Sequence, residues 1–162
     1  MLCELLEKSV LTHPEKIALN FGDHQINYQT LLEIIHKLSK GLIDSGVNKG
    51  DRVAILLPNT PHFIFSYYAI LSVGGVVVTL NTLSQIDELS LILNETNPSV
   101  IIVWDKFYKR IKKLNYNFKN VFILGNNVPR GCKSLTALIA QSSGSKPDVE
   151  LKPDDIAQIQ YT

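Results

Sequence analysis

The 162-residue chain is 45% hydrophobic and 19% charged, enough apolar content for the core of one domain or one large subdomain of something bigger. Its net charge of +1 gives no electrostatic basis for a nucleic-acid or acidic-substrate partner. Cys3 and Cys132 form no CxxC pair and no ligand spacing with the four histidines, which argues against a disulfide scaffold or a zinc site and for a reducing compartment.

The opening Met-Leu-Cys-Glu-Leu-Leu-Glu-Lys has no basic stretch ahead of an apolar run, so no secretory leader is expected and the chain reads as soluble and cytoplasmic. Residues 1–11 place Leu2, Leu5, Leu6 and Val10 on one face of an amphipathic helix that stops before His13-Pro14. Residues 17–21 and 25–27 flank Gly22-Asp23 and predict a short hairpin. Asn27 is the expected cap of a helix over residues 28–45, with Leu31, Leu32, Ile35, Leu38, Leu42 and Ile43 as its apolar stripe and Gly46 as its stop.

From Val53 to Ile86 the chain carries no Asp, Glu, Lys or Arg. Such a run is either a membrane span or a buried centre. A span needs roughly 20 continuous apolar residues, and the candidate, Phe63 to Leu80, is broken by Gly74-Gly75. Pro58-Asn59-Thr60-Pro61 precedes it, with Thr60 as an N-cap and Pro61 at the first helical position. The stretch therefore reads as a strand over 53–57, a helix over 61–73 and a strand over 76–80, a buried β-α-β crossover between parallel strands.

Beyond a polar turn at Asn81-Thr82-Leu83, Ser84 is the expected cap of a helix ending near Glu95, and Asn97-Pro98 stops it. Strands over 100–103 and 121–124 enclose a helix over 106–114, and Ser134 caps a last helix over 135–141. A polar segment, Ser142 to Lys152, leads to a strand beginning near Ile156. This alternation predicts an α/β domain whose mostly parallel sheet is flanked by helices. Strand character running to the last residue makes a cut within a larger domain the expectation.

Several short patterns have both a functional and a structural reading. Ser142-Ser-Gly-Ser-Lys-Pro147 resembles a phosphate loop, but it follows a helix and lacks a second glycine before lysine, so a solvated connector is favoured. Residues 104–113 interleave aromatics with cations; a helix with Phe107, Ile111 and Leu114 inward accounts for them, and its lysines are candidates to face coenzyme A phosphates in a complete enzyme. The Asn59-Thr60-Pro61 turn lies where α/β sheets bind ligands, although capping explains Thr60. His36 and His62 have no nucleophile or acid at triad-like spacing. Asp154-Asp155 reads as a solvated turn, because adjacent side chains entering a strand point to opposite faces.

Five segments in order carry a resemblance: Asn27-Tyr-Gln-Thr-Leu-Leu32, Gly46-Val-Asn-Lys-Gly-Asp-Arg-Val-Ala-Ile-Leu-Leu-Pro-Asn59, Gly74-Gly-Val-Val-Val-Thr-Leu-Asn81, Asp87-Glu-Leu-Ser-Leu-Ile-Leu93 and Asp155-Ile-Ala-Gln-Ile-Gln-Tyr-Thr162. From about Pro14 onward the chain resembles the N-terminal subdomain of the adenylate-forming superfamily, which comprises acyl-CoA synthetases, peptide-synthetase adenylation domains and luciferases. The Val-Thr-Leu-Asn ending after Gly-Gly is most similar to fatty acyl-CoA ligases.

The resemblance implies a parent enzyme, an acid–thiol ligase using ATP, magnesium and coenzyme A on a fatty acid or other carboxylate. It implies that Tyr161 and Thr162 open the loop that wraps the ATP phosphates, so residues 1–162 form the N-terminal part of the AMP-binding domain, cut at the start of that loop. The remainder of the ligase is the implied partner. The piece by itself is then expected to bind no cofactor, to catalyse nothing and to self-associate through uncovered surface. Two alternatives stay open: an adenylation domain that loads a carrier protein, and a non-catalytic α/β module that binds or assembles through its sheet edge.

Overall fold

The computed structural model describes residues 2–161. A helix α1 (Leu2–Thr12) precedes a two-stranded antiparallel hairpin, β1 (Ile17–Phe21) and β2 (His24–Asn27). The remaining elements are α2 (Tyr28–Asp44), β3 (Arg52–Leu56), α3 (Pro61–Ser72), β4 (Val76–Thr79), α4 (Ile86–Thr96), β5 (Val100–Trp104), α5 (Asp105–Lys112), β6 (Asn120–Leu124), β7 (Lys133–Ser134), α6 (Leu135–Gln141) and β8 (Gln158–Ile159). Every pairing in the main sheet is parallel, in the order β7-β6-β5-β3-β4-β8, and antiparallel pairing is confined to the separate hairpin.

The sheet is covered on both faces, which is why its strands are continuous apolar runs. Along β3, Val53 and Ile55 face one side with Leu57 just beyond, while Ala54 and Leu56 face the other. The first side packs on α1, α2, α3 and α6 through Leu6, Ile35, Leu38, Leu42, Ala69, Ile70 and Leu135. The second packs on α4 and α5 through Leu89, Ile92, Leu93 and Ile111. Each fully buried aliphatic side chain contributes about 1.5–3 kcal/mol. The charge-free run is thus the middle of the sandwich. Among the described residues no helix is long and apolar enough to cross a membrane.

Local signals set most boundaries. The Asn27 side chain accepts from Thr30 N–H at 2.8 Å, and the Ser134 hydroxyl accepts from Ala137 N–H at 3.2 Å. Gly46 takes φ +84° one residue beyond the C-cap of α2, a conformation that favours glycine. At Gly75 a Cβ would lie 2.9 Å from Ile70 Cγ2 and 3.2 Å from the Ile70 carbonyl, so the sharp return from α3 into β4 needs a residue without a side chain.

Two expected caps differ. Ser84 does not cap α4; that position is Gln85, and the Ser84 hydroxyl is buried without a partner. Thr60 does occupy the N-cap of α3 by its backbone, but its hydroxyl makes no capping bond and is likewise unpartnered. The Phe63 N–H, one of the two amides an N-cap side chain would accept from, donates instead to the Thr60 carbonyl at 3.0 Å.

In α1 only Leu6 is buried, while Leu2 and Leu5 are 44% and 59% exposed. The short β7 carries no apolar run that would mark a strand. Residues 142–152 hold no regular structure but are tied down: Lys146 pairs with Glu7 at 2.7 Å, and Lys49 donates to the Glu150 carbonyl at 2.7 Å.

Candidate functional site at the carboxyl edge of the sheet

The carboxyl ends of β3, β4 and β8 open onto a cleft of about 620 Å³, within the size range of small-molecule sites. Its first wall is Leu57-Pro58-Asn59, where Pro58 lacks the N–H a strand ladder requires and ends β3. Its second wall is the turn after β4. There Asn81 Oδ1 accepts from Leu83 N–H at 2.9 Å, the Ser84 N–H donates to the Asn81 carbonyl at 3.1 Å, and Arg110 of α5 donates to the carbonyls of Thr82, at 2.7 Å, and Ser84. An Asx turn held by a guanidinium gives that wall a fixed shape.

The third wall is the exit of β8, through Gln160 and Tyr161. Tyr161, expected at the start of the phosphate loop, lies on this rim and donates its hydroxyl to Glu95 Oε2 at 2.5 Å. The carboxylate raises the tyrosine pKa by holding its proton. Thr162, its expected partner, lies outside the described residues. Phe63, Leu80, Leu83 and Ile92 supply apolar surface, and among the described residues Glu88 is the one carboxylate and no lysine or arginine lines the cleft.

The Asn59–Pro61 turn borders the same cleft through Asn59, so the turn and Tyr161, distant in sequence, share one site. The direction of the strand connections reverses between β3 and β5, the position where doubly wound sheets commonly bind ligands. Asp105, just past the end of β5, turns the other way: its carboxylate accepts from Asn127 N–H at 3.3 Å and fills the space beside Gly125, past the end of β6. The opening is displaced toward β4 and β8.

Two further residues bear on the rim, Tyr67 with no signal in the sequence and Glu95 with one. Tyr67 of α3 donates to Gln158 Oε1 at 2.8 Å. Glu95 did carry a signal, because a carboxylate in the last turn of a helix is disfavoured by the helix dipole and needs another reason to be there.

The other candidates stay apart from the cleft. Lys146 of the serine-rich segment is held by Glu7. His62 packs its edge on Phe65 with centroids 5.4 Å apart, and burial lowers its pKa; burial also lowers that of His36. Cys3 contacts Ser72 at 3.5 Å, and burial pushes its thiol pKa up, away from a nucleophilic thiolate. Asp155 pairs with Lys49 at 2.6 Å and accepts from Lys152 N–H at 2.7 Å, a turn and not an acid/base pair. Among the described residues no group of three or more His, Cys, Asp or Glu is placed to hold a metal ion.

Comparison with known proteins bears on this geometry. A long-chain-fatty-acid–CoA ligase of Bacillus subtilis is 36% identical over 113 residues, covering 70% of this chain and 20% of that protein. A crotonobetaine/carnitine–CoA ligase of Salmonella heidelberg is 28% identical over 160 residues, covering 91% and 31%. A dimodular nonribosomal peptide synthase of Bacillus subtilis is 32% identical over 105 residues, covering 65% and 4%.

Among solved structures, an anthranilate CoA ligase in complex with anthranoyl-AMP superimposes with a TM-score of 0.92 at 21% identity, covering 99% of this chain and 32% of that one. A fatty acyl CoA synthetase of Mycobacterium tuberculosis gives 0.88 at 24% identity, covering 99% and 32%. The chain spans a third or less of the length of these relatives. The sequence pattern described as AMP-binding enzyme matches residues 6–162, nearly the whole chain. With an open cleft at the carboxyl edge of a doubly covered parallel sheet, the chain belongs to the AMP-binding enzyme family.

Proposed function

We propose that residues 1–162 form the N-terminal part of the AMP-binding domain of an ATP-dependent acyl-CoA ligase acting on a fatty acid, with Tyr161 and Thr162 opening the loop that holds the ATP phosphates. In that reaction a carboxylate oxygen bonds to the α-phosphorus of ATP and pyrophosphate leaves. The thiol of coenzyme A then attacks the acyl carbon and AMP leaves. The observation that carries the reading is the family match across residues 6–162 together with the place of Tyr161 on the rim of the cleft. Backbone amides of a loop leaving that rim are suited to phosphate oxygens.

The residues of this piece do not suffice for the nucleotide. Among the described residues one carboxylate and no lysine or arginine line the cleft, so the groups that neutralise a triphosphate come from elsewhere in the ligase. The role of the piece is therefore to scaffold the loop and acyl pocket that the rest of the ligase completes. The exposed lysines of α5, Lys109 and Lys112, are on the helix whose Arg110 braces the cleft wall, and they suit the phosphates of coenzyme A. The similarity to a peptide synthase favours one second reading, transfer of the acyl group to the pantetheine thiol of a carrier protein.

The test is calorimetry with ATP and magnesium on the 162-residue chain beside the protein extended by a couple of hundred residues of its reading frame. No binding by the chain, with binding and carboxylate-dependent pyrophosphate exchange by the longer protein, is expected. Saturable binding by the chain alone would refute the scaffold role and direct attention to Asn59–Pro61. We also propose that the isolated piece self-associates, since Leu83 and Ile156 are 82% and 65% exposed. A concentration series by analytical ultracentrifugation showing only monomer refutes this.

A further inference from the structure

β8 is the shortest-held strand whose position bears on the cleft. Among the described residues only Gln158 and Ile159 of this segment pair with β4, against Val77 and Val78, at the edge of the sheet. Two ladder residues specify register weakly, and a slip of one residue would turn every side chain to the opposite face. Side chains supply what the ladder lacks.

On the first face, the Tyr67 hydroxyl donates to Gln158 Oε1 at 2.8 Å, and Gln158 Nε2 donates onward to Thr79 Oγ1 at 3.3 Å and Gln160 Oε1 at 2.9 Å. On the second face, which α4 covers and where Ile159 packs, the Tyr161 hydroxyl donates to Glu95 at 2.5 Å. Residues 158 and 160 thus turn toward α3 while 159 and 161 turn toward α4, the alternation a strand in correct register requires. Glu95 stands in the last turn of α4, against the helix dipole, so its hydrogen bond to Tyr161 is not incidental to helix stability.

We infer that Tyr67 and Glu95 are positioning residues, a clamp on the two faces of β8 that fixes where the chain leaves the sheet at Tyr161, and, given the assignment of Tyr161 and Thr162 to the phosphate loop, where that loop begins. Neither residue lies next to the loop in sequence, and neither needs to touch a nucleotide. The clamp predicts that loosening either face moves the start of the loop and weakens nucleotide binding while leaving the acyl and thiol sites unchanged.

Hydrogen exchange of the 162-residue chain tests the clamp directly. Tyr67→Phe and Glu95→Leu are each expected to speed amide exchange across residues 157–161 about tenfold, with the amides of α2 and β3 unchanged. Glu95→Gln keeps an acceptor for the Tyr161 hydroxyl and is expected to restore protection. In the full-length ligase the double variant Tyr67→Phe/Glu95→Leu is expected to raise KM for magnesium ATP by about tenfold, with KM for the carboxylate unchanged.

Unchanged exchange at 157–161 overturns the clamp, as does acceleration spread evenly through the sheet or an equal rise in KM for both substrates. A wild-type full-length protein that exchanges pyrophosphate with no carboxylate refutes the ligase reading instead, and the hydrogen-exchange result still decides the clamp.

Discussion

Replacing Gly41 by alanine sets two opposing effects against each other. Gly41 is buried in the last turn of α2, where its backbone is still helical and alanine is favoured over glycine by up to about 1 kcal/mol through backbone entropy. Propensity alone therefore predicts a stabilised protein. The packing predicts the reverse. A Cβ at position 41 would lie 2.6 Å from Leu138 Cγ, 2.9 Å from Leu138 Cδ1 and 2.7 Å from Ser142 Oγ.

The Leu138 contact is to the branch carbon and not to a swinging tip, and Ser142 is anchored by its bond to the Leu138 carbonyl at 2.7 Å. Relief therefore requires α6 to move off α2, an overpacking cost of about 1–3 kcal/mol. The net expectation is destabilisation by about 1 kcal/mol.

A double-mutant cycle exposes the two terms. In a Leu138→Ala/Ser142→Ala background the three clashing atoms are gone, and Gly41→Ala is expected to stabilise by up to about 1 kcal/mol, a coupling of about 2 kcal/mol. Urea unfolding followed by far-ultraviolet circular dichroism measures all four proteins. If Gly41→Ala stabilises in both backgrounds, with coupling below about 0.5 kcal/mol, α2 and α6 are not in the close contact described.

Caps with and without a hydrogen bond separate in the same assay. Asn27→Ala removes the acceptor of Thr30 N–H and is expected to cost about 1 kcal/mol. Thr60→Val and Ser84→Ala remove buried hydroxyls that have no partner and are expected to be neutral or stabilising; a loss as large as that of Asn27→Ala would mean these hydroxyls do bond. Stability also depends on pH through the histidines. Burial holds His36 and His62 below their ordinary pKa, so the unfolded chain binds the extra protons. Stability is then fully present above the ordinary histidine value and is lost as the pH falls below it, through the lowered values of the folded chain. The urea midpoint is expected to drop between about pH 7.5 and about pH 5.5, and the pair of changes His36→Asn and His62→Asn should flatten that drop.

Much of the sandwich was legible because its signals are local. Periodicity fixed α2, the β-branched runs fixed β3, β4 and β5, and Gly74-Gly75 with Pro58 and Pro61 divided the charge-free run. What escaped depends on partners far away in the chain. Nothing near Ser84 says that its hydroxyl would be buried unpaired, because the turn it sits in is held by Arg110 from another helix, with Gln85 at the cap.

In α1 the expected stripe was only partly right. Leu6 reaches the core while Leu2 and Leu5 stay exposed, since the helix meets the sandwich at a glancing contact rather than along its length. The cleft itself was half visible. The Asn59–Pro61 turn and Tyr161 were each singled out, but their convergence follows from β8 joining beside β4, a pairing across about eighty residues that no local pattern encodes.

That late pairing also governs how the chain leaves the ribosome. Val76, Val77 and Val78 of β4 have their β3 partner within reach once residue 79 has emerged, whereas the other edge waits for β8. At ordinary elongation rates, the intervening eighty or so residues take roughly four to sixteen seconds to synthesise. Throughout that interval a β-branched edge without a single charge is open to neighbouring nascent chains. Slow decoding between the codons for Thr79 and Gln158 would lengthen the exposure, so yield in the cell should fall when translation is slowed in this window.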